Sequence, residues 1–159
     1  MDKLWAPWRK KVIYNFKPKG CIFCLLPKEK KDSKNYIFER RRDSFAMLNL
    51  YPYNNGHLLV APYRHVGSLE RLAPKDVSAL LTHVQSCQKL LRKLLKPEGF
   101  NIGINEGRVA GAGFKDHLHI HIVPRWNGDT NFMPVFSETK VISESLSEIY
   151  RRLKNADTR

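Results

Sequence analysis

The hydrophobic period of the chain changes several times after residue 36, and each change marks a predicted element. Tyr36-Ile37-Phe38-Glu39-Arg40 and Ser44-Phe45-Ala46-Met47-Leu48-Asn49 are short runs rich in aromatic and aliphatic residues, and they predict two strands joined by the charged turn Arg41-Arg42-Asp43. Pro52-Tyr53-Asn54-Asn55-Gly56 supplies turn residues before a further strand, His57-Leu58-Leu59-Val60-Ala61-Pro62. The period then lengthens. Val77, Leu80, Leu81, Val84, Cys87, Leu91, Leu94 and Leu95 fall at helical spacing, so one long helix starts near Pro74 and ends before Pro97-Glu98-Gly99. Phe100-Asn101-Ile102-Gly103-Ile104-Asn105 alternates as a strand, and Leu146, Ile149, Tyr150 and Leu153 predict a last amphipathic helix before a polar tail. An antiparallel sheet with one long helix and a C-terminal helix, α+β in class, is the expected assembly.

Alternation is strictest in Asp116-His117-Leu118-His119-Ile120-His121-Ile122-Val123-Pro124-Arg125-Trp126. A strand turns successive side chains to opposite faces, so Leu118, Ile120 and Ile122 point into a core while three imidazoles emerge together. Spaced about 7 Å apart, such imidazoles can converge on a metal ion or surround an anionic group. In the second case one neutral imidazole attacks phosphorus while its neighbours donate to the phosphate oxygens. The residues alone allow both. The loop Glu106-Gly107-Arg108-Val109-Ala110-Gly111-Ala112-Gly113 leads directly into this strand, and its glycines let backbone amides approach a phosphate.

The other segments are less regular. Trp5, Trp8, Ile13, Tyr14 and Phe16, interleaved with basic residues and Pro7 and Pro18, predict an extension laid over the body by its aromatic rings. Pro27-Lys28-Glu29-Lys30-Lys31-Asp32-Ser33-Lys34-Asn35 has too little apolar content to pack and reads as a loop. Cys87 belongs to the apolar stripe of the long helix, and with His83 alone it offers too few ligands for a metal.

Composition narrows the function. A chain of 159 residues suits one domain, expected as an N-terminal extension over 1–20, a core over 36–126 and a C-terminal extension over 127–159. Lys and Arg number 28 against 15 Asp and Glu, a net charge of +13 that favours polyanionic partners. No nucleic-acid recognition motif accompanies that charge, so small polyphosphates or merely a basic surface account for it better than a nucleic-acid substrate. There is no long apolar run and no apolar signal core, which predicts a soluble, unexported, cytoplasmic protein without a membrane partner. Three cysteines, two of them in Cys21-Ile22-Phe23-Cys24, suit a metal or redox site in a reducing compartment better than a disulfide framework.

The run His117-Leu118-His119-Ile120-His121-Ile122-Val123 resembles the signature of the histidine triad family of nucleotide hydrolases and transferases. Phe45 to Asn49, Gly56 to Pro62, Asn105-Glu106-Gly107 and the glycine-rich loop stand in that family's order, from about Tyr36 to Trp126. Leu4-Trp5-Ala6-Pro7-Trp8-Arg9, Gly111-Ala112-Gly113, and Pro124-Arg125-Trp126 with Gly128-Asp129 and Asn131-Phe132 are similar to the bacterial branch that includes diadenosine tetraphosphate phosphorylases. The resemblance implies a homodimeric enzyme that cleaves dinucleoside polyphosphates or related nucleotide phosphoesters and anhydrides. His119 would be the nucleophile and form a nucleotidyl-imidazole intermediate. His57 and His121 would contact phosphates, Asn49 the ribose and Asn105 the phosphate chain, with Gly111, Ala112 and Gly113 in the anion site and Trp126 as a further nucleotide contact. It also implies a structural Zn2+ held by Cys21, Cys24, His65 and His117. Relatives commonly carry Ser, Thr or Gln where Gly113 stands; a glycine offers only its amide, so phosphorolysis and hydrolysis both stay open.

Two other classes compete. A basic nucleic-acid-binding module with a structural zinc site and no catalysis would owe its affinity to Lys and Arg and be indifferent to His119. An open-site metalloenzyme would use all three histidines as ligands and lose catalysis with its metal.

Overall fold

The structure is a computed structural model that describes residues 20–130 and 142–157. The extension built around Trp5 and Trp8, and the pair Asn131-Phe132, lie outside the described residues. Five antiparallel strands form one sheet: β1 (Ile37–Arg40), β2 (Ser44–Leu48), β3 (Leu58–Pro62), β4 (Gly99–Ile104) and β5 (Ile120–Arg125). Their spatial order is β1-β2-β3-β5-β4, so the histidine strand is inserted between β3 and β4. Helices α1 (Ile22–Leu25) and α2 (Asp32–Asn35) precede the sheet, α3 (Pro74–Leu95) crosses between β3 and β4, and α4 (Leu146–Asp157) closes the chain.

The strand periodicity places a core on each face. Beneath α3 and α4, Leu48, Leu58, Val60, Leu118, Ile120 and Ile122 pack with Leu80, Val84, Cys87, Leu91, Ile149 and Leu153. On the opposite face, Ile37, Phe45, Met47, Leu59 and Ala61 pack with Phe23 of α1. Strands β2 and β3 are therefore buried on both sides. The long helix has Pro74 in its first turn and ends at Lys96, whose left-handed backbone (φ 48°) stops it ahead of Pro97.

Two expectations are corrected. The polar stretch 27–35 is not an unpacked loop: a 3-10 turn over Leu26–Glu29 and α2 fold it against the sheet edge, with Pro27 and Asn35 buried. Its packing is polar. The Asn35 side-chain amide donates to the Leu26 carbonyl (3.2 Å) and to Glu29 (2.9 Å), while Arg40 donates to both Asp32 oxygens at 2.7 and 2.8 Å. Strand pairing in the histidine segment also begins later than the alternation predicts, at Ile120. Before that point the Leu118 N–H donates to the Val66 carbonyl (2.6 Å), so His117 and His119 keep the alternating facing but hang on the chain beyond β3.

A buried polar group sits within the helix-side core. His83, fully buried, lies with Nδ1 2.7 Å from Ser44 Oγ and Nε2 3.4 Å from Glu39 Oε2. Cys87 Sγ is 3.9 Å from that same oxygen. Helical spacing placed His83 and Cys87 on one face, but Glu39 comes from β1 and nothing local in the sequence announced it. Burial alone would raise the Glu39 carboxyl, but the approach of His83 Nε2 and the hydrogen bond from Arg41 hold it below its ordinary value of 4.5. A depressed carboxylate contributes stability above the unfolded value, and that contribution is lost as pH falls through the lower folded one. Glu39→Gln should therefore lower stability at pH 7 by about 1–3 kcal/mol and flatten the acid limb of a stability-against-pH curve measured by urea unfolding. A second expectation concerns the turn before β3, where Gly56 has φ +70° and an added Cβ would lie 2.5 Å from Leu95 Cδ1. Gly56→Ala should cost roughly 1–3 kcal/mol in the same unfolding measurement, since both backbone and space oppose it.

Candidate functional site

The histidines gather where β3 and β5 meet. His121 is paired with Leu59, and His57, one residue ahead of β3, reaches it across the strands with Nε2 2.9 Å from His121 Nδ1. The proton positions in this pair follow from the backbone. The Tyr53 N–H donates to His57 Nδ1 (3.0 Å), so a neutral His57 carries its proton on Nε2 and donates it to His121 Nδ1. His121 then presents an N–H from Nε2. The turn 52–56 fixes this chain of donors, and the Asn49 amide supports it with Nδ2 3.3 Å from His57 Nδ1 while Oδ1 accepts the Tyr51 N–H (3.0 Å). Tyr53 lies nearly parallel to the His121 ring, at 5.7 Å and 10°.

His119 is held differently. Its Nδ1–H donates to the His117 carbonyl at 2.8 Å, leaving the Nε2 lone pair unprotonated. Burial pushes the imidazole below its ordinary value of 6.5, and the bond to His117 opposes that only in part, so the ring is neutral at pH 7. The ring is 5.0 Å from His121 and lies almost flat on Phe23, at 4.7 Å and 27°. A neutral, oriented imidazole beside a second imidazole that donates is an arrangement suited to attack on phosphorus.

His117 turns away from both. Its Nε2–H donates to the Pro62 carbonyl (2.9 Å), which leaves Nδ1 as a lone-pair atom. That atom lies 3.2 Å from Cys21 Sγ, 3.5 Å from Cys24 Sγ and 3.2 Å from His65 Nδ1, and Cys24 Sγ is 3.3 Å from His65 Nδ1. Four ligand atoms thus lie within 4.8 Å of one another. Tetrahedral zinc, with Zn–S about 2.3 Å and Zn–N about 2.0–2.1 Å, separates neighbouring ligand atoms by roughly 3.4–3.7 Å. The donor set fits. The lone pair of His117 Nδ1 faces two sulfurs and a second ring nitrogen, as a metal ligand's would, and the Pro62 carbonyl supplies the outer hydrogen bond that orients a metal-bound histidine.

The remaining expected residues are distributed unevenly. Asn105 stands beside Gly111, whose added Cβ would come within 3.9 Å of its side-chain nitrogen. The loop is pinned by Glu106, which accepts the Leu69 N–H at 2.7 Å, and by Phe114, which meets Phe23 edge-on at 5.7 Å. Gly107 and Gly111 use left-handed backbone, with φ of +78° and +89°. The Ala112 N–H is given to the Gly107 carbonyl (3.2 Å), whereas the exposed Gly113 has no such bond among the described residues. Trp126 stands past the far end of β5, its N–H on Asp129, and within one chain it does not join the histidines. Phe23, which the sequence offered only as the spacer of a Cys-x-x-Cys pair, turns out to be the residue packed on His119. A groove of about 490 Å3 along α3, lined by Leu72, Pro74, Val77 and Leu81, carries no ionisable side chain, so the chemistry lies elsewhere.

Comparison with known proteins places the chain in a family. The HIT domain profile matches residues 28–128. The chain is 35% identical over 162 residues to the AP-4-A phosphorylase of Mycobacterium tuberculosis, spanning 96% of this chain and 83% of that protein. It is 35% identical over 130 residues to the asymmetrical bis(5'-nucleosyl)-tetraphosphatase of Schizosaccharomyces pombe, covering 79% and 71% of the two chains. The fold superposes on the crystal structure of a Zn-bound histidine triad family protein from Mycobacterium smegmatis with a TM-score of 0.69, at 27% identity over 86% of this chain and 92% of that one. The protein is a member of the HIT domain family.

Proposed function

We propose that this protein is an enzyme that cleaves dinucleoside polyphosphates of the diadenosine tetraphosphate class through a covalent nucleotidyl intermediate on His119. The observation that carries the reading is the His119 Nδ1–H bond to the His117 carbonyl, which aims an unprotonated Nε2 away from the backbone beside a donating His121. Nε2 attacks the α-phosphorus, a P–N bond forms, and the bond to the bridging oxygen breaks, releasing the rest of the polyphosphate. The His121 Nε2–H, set by the Tyr53–His57 chain, donates to a phosphate oxygen. Attack by water or inorganic phosphate on the intermediate restores the imidazole. The transition state is loose, so positioning and charge stabilisation supply most of the catalysis. Asn49, Asn105 and the loop Gly111-Ala112-Gly113 complete the nucleotide and phosphate contacts, with the Gly113 amide as the donor, since the Gly111 and Ala112 N–H groups are given to the Arg108 and Gly107 carbonyls. Trp126 enters only from a second chain, in a homodimer built on the open edge of β4, where Ile102 is 43% exposed.

The same reading gives Cys21, Cys24, His65 and His117 a structural zinc ion. Four protein ligands leave no open position, so the ion would tie α1 to the sheet and take no part in the reaction. Thiolate ligands suit a reducing, cytoplasmic setting. No helix among the described residues is long and apolar enough to cross a membrane.

Incubation with diadenosine tetraphosphate, with and without inorganic phosphate, decides the acceptor. ADP plus ATP formed only with phosphate marks phosphorolysis, and AMP plus ATP formed without it marks hydrolysis. His119→Ala should reduce turnover by at least about 10³-fold with the unfolding temperature unchanged; equal turnover in wild type and variant would sink the enzyme reading.

Metal should co-purify near one ion per chain. Cys24→Ser should lower metal content and bring down the unfolding midpoint by roughly 5–10 °C. A metal-free protein with undiminished stability would remove the zinc assignment.

A further inference from the structure

Phe23 is only 1% exposed, so it cannot touch substrate, yet its ring is the one laid against the proposed nucleophile. A single hydrogen bond, Nδ1 to the His117 carbonyl, fixes one edge of the His119 imidazole and leaves the ring free to rock about that bond. Phe23 blocks the rocking from one face at 4.7 Å, and His121 stands 5.0 Å away, tilted by 56°. Phe23 itself is caged, with His117 at 5.2 Å, Phe114 at 5.7 Å and Phe45 at 6.5 Å between ring centroids. Its backbone lies within α1, and the Cys24 and Leu25 N–H groups that follow it both donate to the Cys21 carbonyl, at 3.1 and 3.0 Å. The Cys-x-x-Cys turn therefore sets where this ring lies.

We propose that Phe23 is a positioning residue for His119: its ring is the flat wall that holds the imidazole plane at the angle required for attack, and the Cys21–Cys24 turn exists in part to hold that wall. This rests on the reading of His119 as nucleophile. A residue that merely fills the core would contribute equally to stability wherever it stood, and its loss would not single out the chemical step. A wall acts on the orientation of Nε2, which matters to bond formation and little to initial binding of a polyphosphate. Misplacement of a reacting group by about 1 Å costs on the order of 10²-fold in rate.

The test compares Phe23→Leu with Phe38→Leu, a phenylalanine equally buried in the core on the other face of the sheet from Phe23. Turnover of diadenosine tetraphosphate, metal content, thermal unfolding and the ring-proton NMR signals of His119 are measured on both, with His119→Ala as control. Phe23→Leu is expected to lower kcat by about 10–10²-fold with KM within about twofold, keep its metal, and move the His119 signals downfield as the ring current is lost. Phe38→Leu is expected to lose comparable stability at unchanged kcat. Should Phe23→Leu not fold, Phe23→Met, a flexible filler without a flat face, takes its place. A folded Phe23 variant with kcat within twofold of wild type overturns this inference alone. A His119→Ala protein that still turns over overturns the proposed function with it.

Discussion

The carbonyl of His117 accepts the Nδ1–H of His119, and much of the site depends on what else that one residue does. Its ring faces Cys21, Cys24 and His65 through Nδ1 and holds the Pro62 carbonyl through Nε2. Residue 117 thus joins the end of β3, the Cys turn and the neighbouring imidazole with three different polar atoms. Moving its backbone by a fraction of an ångström would disturb all three partners together. That shared dependence makes His117 a residue of position, whose ring faces the cysteines and whose carbonyl orients His119.

The legible part of the molecule was the part governed by period. Leu118, Ile120 and Ile122 face the core as alternation requires, and the stripe from Val77 to Leu95 forms a single helix. The triad stood out because three ionisable side chains on one strand face are hard to bury for packing alone. What escaped was structure held by long-range polar contacts. The stretch 27–35 lacks apolar residues, yet Arg40 and Asn35 fold it through carboxylates and carbonyls that no window of sequence reveals. Glu39 reaches His83 from another element for the same reason. Phe23 was hidden by its neighbours: between two cysteines, an aromatic residue looks like a spacer until the sheet is folded beneath it.

The two faces of the sheet divide the work. The helix-side face is large and almost wholly apolar, apart from the enclosed Glu39, His83 and Ser44. The other face has a smaller cluster around Phe23, Phe45 and Met47, and the histidines border it. Imidazoles placed at the rim of an apolar patch lose water without losing their hydrogen bonds. That combination keeps His119 neutral and oriented, the state in which its remaining lone pair is useful.

The insertion of β5 between β3 and β4 has a kinetic side. His57 and His121 meet across 64 positions of chain, with the whole of α3 and β4 in between. Closing so long a loop is entropically slow, and pairs of this kind reward the chain only after the intervening elements have docked. On a ribosome, a nascent chain would display β1, β2, β3 and the long helix well before the histidine strand emerged to fill the gap. The central slot of the sheet would stand open during that interval, with the unpaired edge of β3 exposed to other strands. What draws β5 into that slot is the burial of Leu118, Ile120 and Ile122, the aliphatic residues that alternate with the histidines.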